Sequence, residues 1–265
     1  MPSTLTPFHH ELLSAWHVFR NRWATVVKLS LLPLVPLLFV LPALIDQSML
    51  PPENAAGLGA NHTSQALMLI GMLGLLGSVI LSTAAKAGIF ITVARRDDLG
   101  ARRALREGFR RFFPFLFTEI LASLLVFLAL LPFMFFTLWY TVGGGRTMLG
   151  EPLTGEAVGI LMFAALLLLL IPGLLFAVWF AFAPLATVVK DAPGGIPALR
   201  ESFRLVAGHS WDVLARLGGW VLLYLAATIA VSPLPIANWL LPFLLALYGT
   251  AFFIVIYREL RGQER

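Results

Sequence analysis

The sequence predicts an all-α membrane protein, a polytopic bundle of six transmembrane helices forming one membrane domain over 1–265. Three observations predict it. Hydrophobic residues make up 59% of the chain and charged residues 12%, against about 45–50% and 25% in a soluble domain. The apolar stretches run without the alternation of a membrane β-strand, each long enough for the ~20 residues a spanning helix needs. A short basic segment also recurs ahead of hydrophobic sequence: Ala104-Leu105-Arg106-Glu107-Gly108-Phe109-Arg110 returns as Ala198-Leu199-Arg200-Glu201-Ser202-Phe203-Arg204. With a mean hydropathy of +0.87, the chain has too little polar surface to coat a water-soluble globule.

Taken in order, residues 1–8 read as a tail. An amphipathic helix follows over about 9–23 and leads into a first span at roughly 24–45, bent by Pro33 and Pro36. That span exceeds the 7–15 apolar residues of a typical signal peptide, so it is expected to stay uncleaved. A polar loop over 46–65 contains Pro51-Pro52. Span two, about 66–94, carries Gly71, Gly74 and Gly77 on one face, a pattern that lets helices approach closely. The basic stretch 95–111 holds a second amphipathic helix, and span three covers about 113–140. After a loop with Gly143-Gly144-Gly145, span four, about 157–189, is longer than one upright crossing and is expected to tilt, bend at Pro172 and Gly173 or project beyond the lipid. The turn Pro193-Gly194-Gly195 precedes the third amphipathic helix. Spans five and six, about 213–231 and 237–257, share a short loop, and a charged tail ends at Arg265.

The repeat divides the chain into three similar units at approximately 9–94, 95–190 and 191–265, each an interfacial helix followed by a hairpin. Leu12 to Leu105 is a step of 93 residues and Leu105 to Leu199 one of 94. Large apolar residues recur at helical spacing: Leu12, Trp16, Phe19 and Trp23; Leu105, Phe109, Phe112 and Leu116; Leu199, Phe203 and Val206. Two hairpin exits also match, Thr92-Val93-Ala94-Arg95 against Thr187-Val188-Val189-Lys190. The plainer alternative is convergence, because any helix on an anionic leaflet selects apolar and arginine faces.

Charge fixes the expected orientation. Six spans put both termini and the loops after spans two and four on one side, which receives every Lys and Arg except Lys86 and Arg146. The opposite loops carry Asp46, Glu53, Glu151 and Glu156. This asymmetry predicts cytoplasmic termini and explains the net charge of +5 without nucleic acid.

The interfacial helices are the first functional candidates. Arg102, Arg103, Arg106, Arg110 and Arg111, with Arg200 and Arg204, suit anionic lipid headgroups, each adding about 1 kcal/mol of attraction near the surface. They recognise headgroups or protein partners, or they only anchor the bundle. Lys86 is the second candidate, about nine residues or roughly 13 Å inside the Arg95 boundary. With Glu119 it lines a polar intramembrane site, or it snorkels to the interface. His9, His10 and His17 with Glu11 lack a matching third ligand, so no metal is expected. With no cysteine and no nucleophile–base–acid set, no cofactor or catalytic residue is assigned.

Ile171-Pro172-Gly173, Phe182-Ala183-Pro184-Leu185, Val188-Val189-Lys190-Asp191 and the helix from Ala198 to Trp211 carry a family likeness. From about Gly71 onward the chain resembles the YciC-type family of six-span bacterial inner-membrane proteins. It is similar also to the membrane domain that precedes some glycerophosphodiester phosphodiesterases. The resemblance implies a fold and a bacterial inner membrane, with no catalytic set to carry over. These 265 residues contain no phosphodiesterase sequence, so that activity is not expected. The expected role is non-enzymatic, in envelope organisation or membrane-protein assembly, with lipids and other membrane proteins as partners. The alternative is a small transporter or lipid-translocating protein using Lys86.

Overall fold

The computed structural model describes residues 7–36, 38, 60–94, 99–142, 156–189 and 194–263, and these are helical with short connections. The helices are α1 (Phe8–Leu31), α2 (Ala60–Ala94), α3 (Ala101–Arg110), α4 (Phe112–Val142), α5 (Glu156–Phe180), α6 (Ala183–Val189), α7 (Ile196–Ala207), α8 (Ser210–Val231) and α9 (Pro235–Gln263). Five stretches among the described residues are long and apolar enough to cross a membrane: Leu69–Ala94, Phe112–Tyr140, Ile160–Val189, Ser210–Val231 and Leu240–Gly262. These match predicted spans two to six and make the chain a multi-pass membrane protein. The outer half of predicted span one, the loop with Gly143-Gly144-Gly145 and the exit at Lys190 lie outside the described residues.

Breaks between helices follow from proline and glycine. The predicted joint between the first interfacial helix and span one is absent, because nothing from Phe8 to Leu31 interrupts a helix and α1 runs straight through. It ends at Leu32, which keeps helical angles (φ −59°, ψ −39°); Pro33 has no N–H for the Leu29 carbonyl, which takes the Leu32 N–H at 3.3 Å instead. α3 and α4 are separated by Arg111 alone. Pro114 lies in the first turn of α4, where its missing N–H costs nothing but its ring opposes continuation of α3. Span four runs helical through Pro172 and Gly173, and its interruption falls at Ala181–Phe182. That break lies just upstream of Pro184, whose ring would collide with the Phe180 carbonyl of an unbroken helix. At the other boundaries helix extends further than predicted: α2 starts at Ala60 within the expected polar loop, and α9 carries the expected tail to Gln263.

The chain forms two compact units, one from residues up to Phe115 with Ala230–Val255, the other from Leu116–Ile229 with Ile256–Arg265. In the first, α3 lies across α2 on backbone. A Cβ added to Gly88 would stand 2.8 Å from the Ala104 carbonyl oxygen, and one on Gly108 would overlap the Ala84 carbonyl oxygen. Backbones thus come close at Ala84 and Gly88; of the predicted Gly71, Gly74 and Gly77 face, Gly77 meets Pro36 at an ordinary 3.6 Å. The Ser78 hydroxyl donates to the Pro33 carbonyl at 3.0 Å. α1 is seated on α9 by aromatic edges: Phe8 on Phe252 at 5.7 Å, and Trp16 and Phe19 on Tyr248 at 6.1 Å each. The Tyr248 hydroxyl donates to the Leu12 carbonyl at 2.6 Å.

In the second unit a hydroxyl knot holds α4, α6 and the start of α7. The Gly195 N–H donates to Thr118 Oγ1 at 2.6 Å, and the Thr187 hydroxyl lies 3.2 Å from that same oxygen and 3.1 Å from the Ala183 carbonyl. Gly195 has φ +81°, a left-handed conformation that favours glycine. A Cβ there would also stand 2.6 Å from the Phe117 ring. Beside the knot, Ala122, Ala183 and Leu199 form a small apolar core flanked by Leu121, Leu125 and Phe180. The Arg216 guanidinium of α8 sits 3.1 Å from the Glu259 carboxylate of α9, both largely buried.

Candidate functional site

Of the amphipathic helices, α3 buries only small residues, while α7 and α1 bury small and large ones together. On α3 the buried residues are Ala104 and Gly108. On α7 the corresponding Ala198 and Ser202 are buried, with Leu199, Leu205 and Val206. On α1 the stripe is Glu11, Ala15 and Phe19. Ala15, Ala104, Gly108, Ala198 and Ser202 each lie one residue ahead of a large apolar position named from the sequence. Of those large positions, Trp16 is 48% exposed, Trp23 57%, Phe109 45% and Phe203 41%, while Phe19, Leu199 and Val206 are buried. Small residues let helix backbones approach, and where lipid is as apolar as leucine, close approach replaces hydrophobic burial as the source of packing.

The arginines divide by helix. Arg102, Arg103, Arg106 and Arg110 are exposed on α3, while Arg111 is half-buried with its Nε 3.8 Å from Glu107. Arg103, Arg106, Glu107 and Arg110, together with Leu99 and Phe109, line a groove of about 850 Å³. On α7, Arg200 and Arg204 are exposed, Arg204 lies 3.5 Å from Glu201, and the groove beside them is about 350 Å³, bounded by Ile196 and Pro197.

Lys86 is exposed on α2 between buried Ala84 and Ala85 on one side and buried Ala87 and Gly88 on the other. It points away from the α2–α3 seam. Glu119 belongs to the other unit; it is half-buried on α4 and lines an apolar groove with Leu116, Ile120, Ser123, Leu124 and Phe127. Gly173 is buried against α4, where an added Cβ would fall on the Leu130 side chain. Near the start of the chain, Glu11 turns into the packed face while His9, His10 and His17 stay exposed, so these four do not converge. Among the described residues no group of three or more His, Cys, Asp or Glu side chains is arranged to hold a metal.

Sequence reasoning missed the residues that join the helices. Gly88 and Gly108 each stand alone among larger neighbours, a signal of close approach once their helices are known to cross. Thr118, Tyr248 and Glu259 carry no local signal, because their partners are tens to hundreds of residues away in sequence.

Five long apolar helices, with short helices between them that display arginine and aromatic side chains, define a class: an all-α, multi-pass membrane protein. The chain belongs to the family described as Domain of unknown function (DUF7847), which it matches over residues 30–256. No curated protein and no solved structure matches it.

Proposed function

We propose that this is a non-enzymatic protein of the bacterial inner membrane that works through lipid and protein contacts, in envelope organisation or in the assembly of other membrane proteins. It has six spans in three similar units, with cytoplasmic termini and cytoplasmic interfacial helices. One observation carries the reading. The small-residue faces of α3 and α7 are buried, so what these helices present outward is arginine beside exposed phenylalanine. That combination suits an anionic leaflet, the cation at headgroup depth and the ring just below it.

The positional match between the helices supports the repeat. Gly108 meets the Ala84 carbonyl, and Ser202 meets the Trp179 carbonyl, at steps of 94 and 95 residues. The test is reconstitution with R106Q/R110Q/R200Q/R204Q against the unsubstituted chain, in neutral vesicles and in vesicles containing phosphatidylglycerol. The expected result is a lost preference for anionic lipid and weakened capture of neighbouring membrane proteins. An unchanged lipid preference together with unchanged protein contacts would overturn the reading.

A further inference from the structure

We infer that the groove on α3 is a binding site for one anionic phospholipid, and that α7, despite its matching sequence, is only a charged surface. The inference rests on the membrane reading above and narrows it to one helix. Arg103, Arg106 and Arg110 stand at i, i+3 and i+7, one side of a helix over about 10 Å. Each guanidinium is a planar fork that takes two phosphate oxygens at once.

Among the described residues, Arg102, Arg103, Arg106 and Arg110 make no ion pair within the protein. Arg204 on α7 is held 3.5 Å from Glu201, leaving that helix with Arg200. The Glu107 carboxylate at the α3 groove is turned to Arg111 at 3.8 Å. The α3 groove, at about 850 Å³, falls within the ~300–1,000 Å³ of small-molecule sites.

The apolar edge selects a lipid over a soluble anion. Leu99 and Phe109 line the groove, and Phe109 is 45% exposed. Free phosphate makes no use of those side chains, whereas the glycerol and upper acyl chain of a phospholipid lie against them while its phosphate meets the arginines. A lipid with two phosphates spans the row of three arginines better than one with a single phosphate, so diphosphatidylglycerol is expected to bind more tightly than phosphatidylglycerol.

The experiment uses the full chain in nanodiscs of phosphatidylcholine doped with phosphatidylglycerol or diphosphatidylglycerol, with retained lipid read by native mass spectrometry. R103Q/R106Q/R110Q is compared with R200Q/R204Q. The expected result is one tightly retained anionic lipid, weakened roughly tenfold or more by the α3 variant and about twofold or less by the α7 variant. If the triple variant does not fold, R106Q alone removes an exposed side chain and is expected to weaken retention about fivefold.

Equal losses from both helices would overturn the α3 site while leaving the general anionic-lipid reading standing. Phosphatidylcholine retained as well as the anionic lipids would overturn both. Displacement of the lipid by millimolar inorganic phosphate or glycerol 3-phosphate would make this a soluble-anion site and overturn the lipid assignment. A tight anionic lipid insensitive to those salts and lost with R106Q supports it.

Discussion

The Ser202 hydroxyl donates a 2.6 Å hydrogen bond to the Trp179 carbonyl. At the matching position of α3, Gly108 brings its bare backbone against the Ala84 carbonyl. Both contacts attach an interfacial helix to the end of the preceding span, one through a hydroxyl and one through the lack of any side chain. The difference of one side chain sets how near the helices come.

Gly108→Ala is therefore expected to destabilise the protein by about 1–3 kcal/mol, because backbone on both sides must move. Gly218→Ala on α8, where an added Cβ meets nothing within 4 Å, is expected to be neutral or to stabilise by up to roughly 1 kcal/mol. Thermal unfolding in one detergent compares the two. An equal response at both positions would remove the case for close approach.

Thr118→Val keeps the shape of a buried side chain and removes the acceptor of the Gly195 N–H. A loss of about 1–3 kcal/mol is expected, the cost of an amide left buried without its partner. Amide exchange at Gly195 should accelerate at the same time. Exchange as slow as in the unsubstituted chain would show that the turn is held by something else.

Tyr248→Phe retains the ring edges on Trp16 and Phe19 and deletes the bond to Leu12. About 0.5–1.5 kcal/mol is expected to be lost. The more telling readout is local: proteolysis within α1 should quicken while the α7–α8 region stays protected.

Arg216 and Glu259 are expected to be non-additive. Either Arg216→Met or Glu259→Met alone leaves a charge in a largely buried place and should destabilise by roughly 1–3 kcal/mol, whereas the double variant recovers part of that loss. Double-mutant cycles on unfolding midpoints measure the coupling. Strict additivity would mean that the 3.1 Å contact contributes nothing of its own.

The natural chain has no cysteine, which makes sidedness directly measurable. Single cysteines at Glu53 and Arg146 are expected to react with an impermeant thiol reagent from outside. Cysteines at Gly208 and Gly262, where an added side chain meets open space, should react only after the membrane is opened. Labelling of Glu53→Cys and Gly208→Cys from the same side would exclude the six-span arrangement.

The apolar helices were legible because hydrocarbon imposes length and composition on each span independently of its neighbours. Of the prolines expected to bend span one, Pro33 stands at the end of α1. The breaks beside Pro114 and Pro184 were not read from the sequence, and helix continues through Pro172 and Gly173. The interfacial helices were legible as amphipathic stretches, but not which face packs. Leucine and tryptophan at helical spacing would face a core in water; here Ala104 and Gly108 are buried while Trp16, Trp23 and Phe109 stand exposed. Of the candidate site, Arg103, Arg106 and Arg110 could be named from sequence, while the contrast with Arg204 depends on a side-chain geometry that a repeated motif does not encode.

The seat of α1 on Tyr248 has a consequence for biogenesis. Those partners are 236 residues apart in the chain, and at roughly 5–20 residues per second the ribosome needs on the order of 10–50 s to deliver the second after the first. During that interval α1 already has α2 and α3 to pack on, while the side that carries Leu12, Trp16 and Phe19 stays uncovered. That side is among the first made and is covered last, so premature termination before Tyr248 leaves the beginning of the molecule open as well as removing its end.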